Sequence, residues 1–117
     1  MTWTVDLHPL FEEEFKALSE AVQDALLAEV GLLKRQGPDL GRPHVDTLND
    51  SKYKNMKELR FNADNGVWRA AFAFDPERKA IILVAGDKAG EDQKRFYKTL
   101  IKKADKRFDD HCKQLKG

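Results

Sequence analysis

Val67-Trp68-Arg69-Ala70-Ala71-Phe72-Ala73-Phe74 decides how this chain folds, together with Glu58-Leu59-Arg60-Phe61 before it and Ala80-Ile81-Ile82-Leu83-Val84-Ala85-Gly86-Asp87-Lys88 after it. Trp68, Ala70, Phe72 and Phe74 alternate with Val67, Arg69, Ala71 and Ala73, a period of two that gives one sheet face the bulky apolar groups. Aromatic and β-branched residues favour a pleated surface over a helix. Asn62-Ala63-Asp64-Asn65-Gly66 and Asp75-Pro76-Glu77-Arg78 have the length and composition of hairpin turns, so the three strands are expected to run antiparallel. Arg69 stands inside the most apolar strand, on the face opposite Trp68, Phe72 and Phe74. A guanidinium there needs water, a carboxylate or an anionic ligand.

Working towards the N-terminus, Trp3-Thr4-Val5-Asp6-Leu7 alternates and reads as a first strand. His8-Pro9 breaks it, and Phe11, Phe15 and Leu18 then recur on one helical face. Ser19 is placed to cap a second helix, whose stripe is Val22, Leu26, Val30 and Leu33 and whose stop is Gly37-Pro38. Val45 to Lys54 has no periodicity. Towards the C-terminus, a helix over about 91–113 carries Phe96, Leu100, Ala104 and Phe108 on one stripe, and Lys94, Arg95, Lys98, Lys102, Lys103, Lys106 and Arg107 on much of the rest. The order β-α-α-β-β-β-α predicts an α+β fold in a single domain, 1–117, with a small antiparallel sheet packed by helices on one side. The face carrying Arg69 is expected to stay open.

The 117 residues are 41% hydrophobic, 9% aromatic and 35% charged, enough apolar material for one core, with a charged fraction that is high for a globular domain but is not the signature of wholesale disorder. No stretch is apolar for the roughly 18 residues of a membrane span, and no leader pattern is visible, so a cytoplasmic location is expected. Cys112 is the single cysteine, and no Cys/His cluster has zinc spacing, so neither a disulfide nor a metal or other cofactor is expected. The net charge of +1 conceals a division. Residues 1–51 hold four basic and ten acidic side chains (−6), and residues 52–117 hold 17 basic and ten acidic (+7). Either the basic half meets a polyanion or acidic partner, or the two halves pair through surface ions.

Lys57, Arg60, Arg69, Lys88, Arg95 and Tyr97 form a basic constellation around the expected open face. Arginine binds phosphate in a bidentate manner, lysine acts as a point charge, and aromatics stack on bases. Such a set can hold single-stranded nucleic acid and stabilise the charge of a phosphoryl transition state, with a phenol or lysine as acid or base. The other reading is a solvated charged surface with Tyr97 in the core. His8, His44 and His111 lack partners at diagnostic spacing, and only His44, in a loop, is kept as a catalytic candidate. Gly86-Asp87-Lys88-Ala89-Gly90 lacks P-loop spacing. It either offers an anion site at the following helix or simply permits a tight turn.

Met56-Lys57-Glu58-Leu59-Arg60, Val67 to Asp75, Gly86-Asp87-Lys88-Ala89-Gly90 and Gln93 to Ile101 resemble toxins of the RelE/ParE superfamily, in particular the HigB-like, phage Gp49-related branch. Val5 to Phe11 and Leu33 to Pro43 extend the resemblance over nearly the whole chain. It implies a microbial RNase-like fold and a type II toxin that cuts mRNA in the ribosome without a metal, through the ribose 2′-hydroxyl. By position, Arg69 matches the arginine that holds the scissile phosphate, Lys88 a basic position after the last strand, and Tyr97 the C-terminal aromatic. These are the catalytic candidates. Lys57 and Arg60 match a basic strand, with Glu58 standing where some members have lysine, and Lys94 and Arg95 join them as RNA-binding candidates. The resemblance further implies a helix-turn-helix, HigA-like antitoxin, with DNA contacted only through it. The ribosome and mRNA are the other partners, and no membrane is involved. Two other readings remain open: a ParE-like poison of DNA gyrase, and an inactive homologue serving as an interaction module. A nuclease is expected to bring Arg69 and Lys88 to one phosphate-sized site.

Overall fold

The computed structural model describes residues 2–117. Its elements are β1 (Val5–Leu7), α1 (Pro9–Lys16), α2 (Glu20–Gln36), a 3-10 turn at Gly37–Asp39, β2 (Val45–Thr47), β3 (Lys57–Ala63), β4 (Gly66–Phe74), β5 (Ala80–Asp87) and α3 (Gln93–Leu115). The five strands lie in the order β1-β5-β4-β3-β2. β1 runs parallel to β5, and the other neighbouring pairs are antiparallel. The central hairpins therefore form as their alternation demands. Asp64 and Asn65 both take positive φ, 49° and 59°, in the two-residue turn joining β3 to β4, the conformation that matches the twist of paired strands.

The α+β class and the element order hold, with one addition. β2 is a three-residue edge strand paired with β3, in a stretch without alternation to reveal it. β1 begins at Val5 rather than Trp3, and α3 spans Gln93–Leu115 rather than 91–113, with the Asp92 carboxylate accepting from the Arg95 amide as its cap. Trp3 instead packs its ring against Gly37, the C-cap of α2 at φ 56°. A Cβ at Gly37 would sit 2.4 Å from that indole, so both the backbone conformation and the space require glycine there.

The expectation of an open sheet face is wrong. Leu59, Phe61, Ala70, Phe72 and Ile82 pack with Phe11, Val22, Leu26, Val30 and Leu33 of α1 and α2. Ala71, Ala73, Ile81 and Leu83, on the opposite face, pack with Phe96, Leu100, Ala104 and Phe108 of α3. The apolar stripe of α3 needs a partner, and the small side chains of Ala71 and Ala73 let the helix approach. Three layers result, with Arg69 at the end of the α3-covered face.

Opposite Ala71 and Phe72, β5 contains a bulge: Ala71 pairs with Val84 and Phe72 with Ile82, which leaves Leu83 as the extra residue. The Leu83 carbonyl accepts from the buried Arg107 guanidinium at 2.7 Å. The same guanidinium clasps the Glu14 carboxylate of α1 at 2.6 and 2.9 Å. Arg107 thus supplies a bulge carbonyl with a donor and joins α3 to α1.

Ser19 caps α2 by accepting from the Val22 amide at 3.3 Å, and its hydroxyl donates to Asp64 in the β3–β4 turn. Ser19→Ala is expected to lower stability by about 1 kcal/mol, read as a lower thermal midpoint.

Candidate functional site

β3 and β4 pair Arg60 with Arg69 and Glu58 with Ala71, so Glu58, Arg60 and Arg69 share the α3-covered face. Near the start of α3, Tyr97 lies over them. Its hydroxyl donates to Glu58 Oε1 at 2.8 Å and accepts from Arg69 Nε at 3.3 Å. Arg69 Nε stands 3.8 Å from Glu58 Oε1, and its Nη1 donates to the Trp68 carbonyl at 2.9 Å. Arg60 Nε lies 4.0 Å from Glu58 Oε2. Glu58 and Arg69 are both buried, at 5% and 6% exposure. A carboxylate, a phenol and two guanidinium groups are thereby held as one network.

The network floors a groove of about 920 Å³ between α3 and the β2–β3 segment. Lys94 and Lys98 stand on the α3 wall, Asp46 and Asp50 belong to the opposite wall, and Glu58, Arg60 and Tyr97 also line the groove. Lys94, Tyr97, Lys98 and Ile101 follow i, i+3, i+4, i+7, which is why one side of α3 lines it.

Two protonation states are tuned here. Burial pushes the Glu58 carboxyl above the usual carboxylate range, more than the Tyr97 hydrogen bond and the Arg69 and Arg60 charges pull it down. Burial, followed by the bond to Glu58, pushes the Tyr97 phenol up. Tyr97 therefore keeps its proton at neutral pH and serves as a donor.

The sequence-predicted residues divide into two groups. Arg69, Tyr97, Arg60 and Lys94 meet at or behind this groove. Lys57 pairs with Phe72 and shares the strand parity of Leu59 and Phe61, so it belongs to the α1–α2 side. Lys88 follows the end of β5, with its amide bonded to the Val67 carbonyl. Neither Lys88 nor Arg95 lines the groove, and Arg69 lies behind Tyr97 and Glu58, bonded to the Tyr97 hydroxyl rather than facing the groove itself. Glu58, Lys98, Gln93 and the wall from Asp46 to Asp50 are among the groove residues that motif reasoning passed over. Strand parity linking Glu58 and Arg60 to Arg69 was the available signal for the first.

The other candidates have local work. His44 Nδ1 lies 3.1 Å from a Glu29 carboxylate oxygen. His8 caps α1 by accepting from the Leu10 amide, and His111 Nε2 lies 2.8 Å from Asp75 Oδ2. The N-terminus of α3 is taken by the Asp92 carboxylate, so the glycine-rich segment serves the turn, with Gly90 at φ 74°. Among the described residues, no group of three His, Cys, Asp or Glu side chains is placed to hold a metal ion, and no helix is long and apolar enough to cross a membrane.

Residues 13–109 match the sequence profile of the phage-derived Gp49-like protein family. The chain is 47% identical over 105 residues to HigB3 of Mycobacterium tuberculosis, a protein with a toxin designation, and the match covers 90% of each chain. It is 40% identical over 114 residues to HigB2 of the same organism, which also has a toxin designation; the match covers 97% of this chain and 56% of that relative, little more than half its length. In structure it is similar to a chain of the archaeal RelE–RelB complex from Pyrococcus horikoshii. The TM-score is 0.54 at 19% identity, over 77% of this chain and 99% of that one. This likeness shows a shared fold.

Proposed function

The chain belongs to the phage-derived Gp49-like family of RelE-fold, HigB-related proteins, and from that premise we propose that it is the toxin of a type II toxin–antitoxin pair, cleaving mRNA on the ribosome without a metal. One observation carries the nuclease reading: a buried carboxylate and a buried guanidinium converge on the Tyr97 hydroxyl at the floor of a groove that presents Arg60, Lys94 and Lys98. Burying such groups costs stability, and apolar side chains of similar size serve a core better.

In this reading the ribose 2′-oxygen attacks the adjacent phosphorus. Glu58, whose raised pKa brings it closer to neutral pH, takes the 2′-hydroxyl proton. Arg60 offsets the charge that grows on the non-bridging oxygens. Tyr97 gives its proton to the leaving 5′-oxygen as the phosphorus–oxygen bond breaks, and Glu58 passes its new proton to the phenolate across their 2.8 Å hydrogen bond. The products are a 2′,3′-cyclic phosphate and a 5′-hydroxyl, and the pair returns to its starting state. Arg69, behind both groups, acts as a positioning residue. The proposed partners are a helix-turn-helix antitoxin, the ribosome and mRNA, in the cytoplasm.

The test is to map mRNA ends after brief induction, in wild type and in Glu58→Gln. New 5′ ends within translated frames are expected in wild type only, and are expected to vanish when translation is blocked. Growth arrest with DNA damage signalling and no such ends would overturn the nuclease reading in favour of gyrase poisoning. In a purified assay, the cleavage rate is expected to fall as the pH drops through the raised pKa of Glu58, because only the ionised carboxylate accepts the proton.

A further inference from the structure

The two walls of the groove differ in charge. Lys94 and Lys98, one turn apart on α3, suit a phosphate backbone. Across from them, β2 and the segment after it present carboxylates. Asp46 is engaged, accepting from the Thr47 amide at 2.9 Å and pairing with Arg42 at 3.2 Å. Asp50 is exposed, lines the groove, and has no hydrogen bond or ion pair among the described residues. A free carboxylate repels phosphate and can only accept hydrogen bonds. In a strand whose phosphates follow the lysine wall, the donors left to meet Asp50 are the ribose hydroxyls, which every nucleotide shares, and the edge of a base, which alone distinguishes one nucleotide from another.

We propose that Asp50 reads this base and selects guanine, an inference that rests on the RNA-cleaving function proposed above. Guanine alone among the four RNA bases presents two adjacent donors, N1–H and the 2-amino group, on its Watson–Crick edge. These match the two oxygens of a carboxylate in a bidentate pair. Adenine and cytosine present one amino donor beside an acceptor nitrogen. Uracil flanks its single N3–H with two carbonyl oxygens, which a carboxylate repels. Unpaired bases of a single strand expose this edge, whereas a duplex hides it.

The test uses the full chain with ribosomes carrying mRNAs that differ only at the two nucleotides flanking the cut, where guanosine is replaced in turn by inosine or uridine. Inosine keeps N1–H and lacks the 2-amino group. Wild type is expected to cleave the guanosine message about 10- to 100-fold faster than the inosine message, the effect of one hydrogen bond to a charged acceptor. Asp50→Ala and Asp50→Asn are expected to cleave both at similar rates while still cutting RNA. Equal guanosine and inosine rates in wild type, or an undiminished preference in both variants, would overturn guanine reading and leave the nuclease function standing. No cleavage of any message by wild type would overturn both.

Discussion

Tyr97→Phe is expected to reduce RNA cleavage by about 10²- to 10⁴-fold, the span of positioned acid–base catalysis, while the thermal midpoint stays within a few degrees of wild type. The ring remains, and with it the edge-on contact to Phe96 at 5.3 Å. Only the hydroxyl is lost, and with it the bond to Glu58 and the acceptor for Arg69 Nε. Glu58 and Arg69 still face each other at 3.8 Å, so no charge is left without a counter-ion. Single-turnover cleavage with ribosome-bound mRNA, read beside a thermal melt, checks both halves. A variant that cleaves at the wild-type rate would remove Tyr97 from the chemistry. A variant that melts far lower would make its role structural.

Arg107→Ala is expected to have the largest effect on stability, about 3 kcal/mol, which for a chain of this size lowers the midpoint by roughly 10–15 °C. The substitution orphans the Leu83 carbonyl at the bulge and removes the link between α3 and α1. Glu14→Gln is expected to cost less than Arg107→Ala, because the glutamine amide oxygen still accepts from the buried Arg107 guanidinium and the Glu14 side chain is 43% exposed, so water reaches the pair. The hydrogen bond from Arg107 holds the Glu14 carboxyl below the usual range. Its small contribution is therefore complete above the unfolded-state pKa, and is lost as the pH falls through the lower folded one. Urea melts at neutral pH and near pH 3 check the sign: the difference between wild type and Glu14→Gln is expected to shrink in acid.

The strands and helices were legible wherever a periodic apolar pattern ran long enough. The alternation around Arg69 placed β4, and the four-residue stripe from Phe96 to Phe108 placed α3. β2 escaped because its three residues sit in a stretch without alternation, whereas β1, equally short, was marked by the longer alternation from Trp3 to Leu7. The covering of the second sheet face escaped for another reason: Ala71 and Ala73 read as weakly apolar on a strand, yet their small size is what admits a helix. At the site, Arg69 and Tyr97 were legible as chemistry and do meet. Their partner Glu58 was visible only as a carboxylate among basic neighbours, because burial and hydrogen bonding follow from three elements converging. Lys57 illustrates the limit of charge counting. It lies two residues from Leu59 on β3, and that parity directs it to the α1–α2 side.

The far half of α3 has its own ties to the segment after β2. Asp105 accepts from the Ser51 hydroxyl and from the Lys52 amide, and Asp109 accepts from the Tyr53 hydroxyl and pairs with Lys52. Tyr53 also sets its ring edge-on to Phe108 at 4.8 Å. The jaws of the groove are thus bolted together at one end, like a calliper whose gap is set by a screw away from its tips. Gap and chemistry can then be varied separately. Changes at Asp105 or Asp109 would alter how wide the jaws stand without touching Glu58 or Tyr97, and changes at the tips would alter what is gripped without altering the opening.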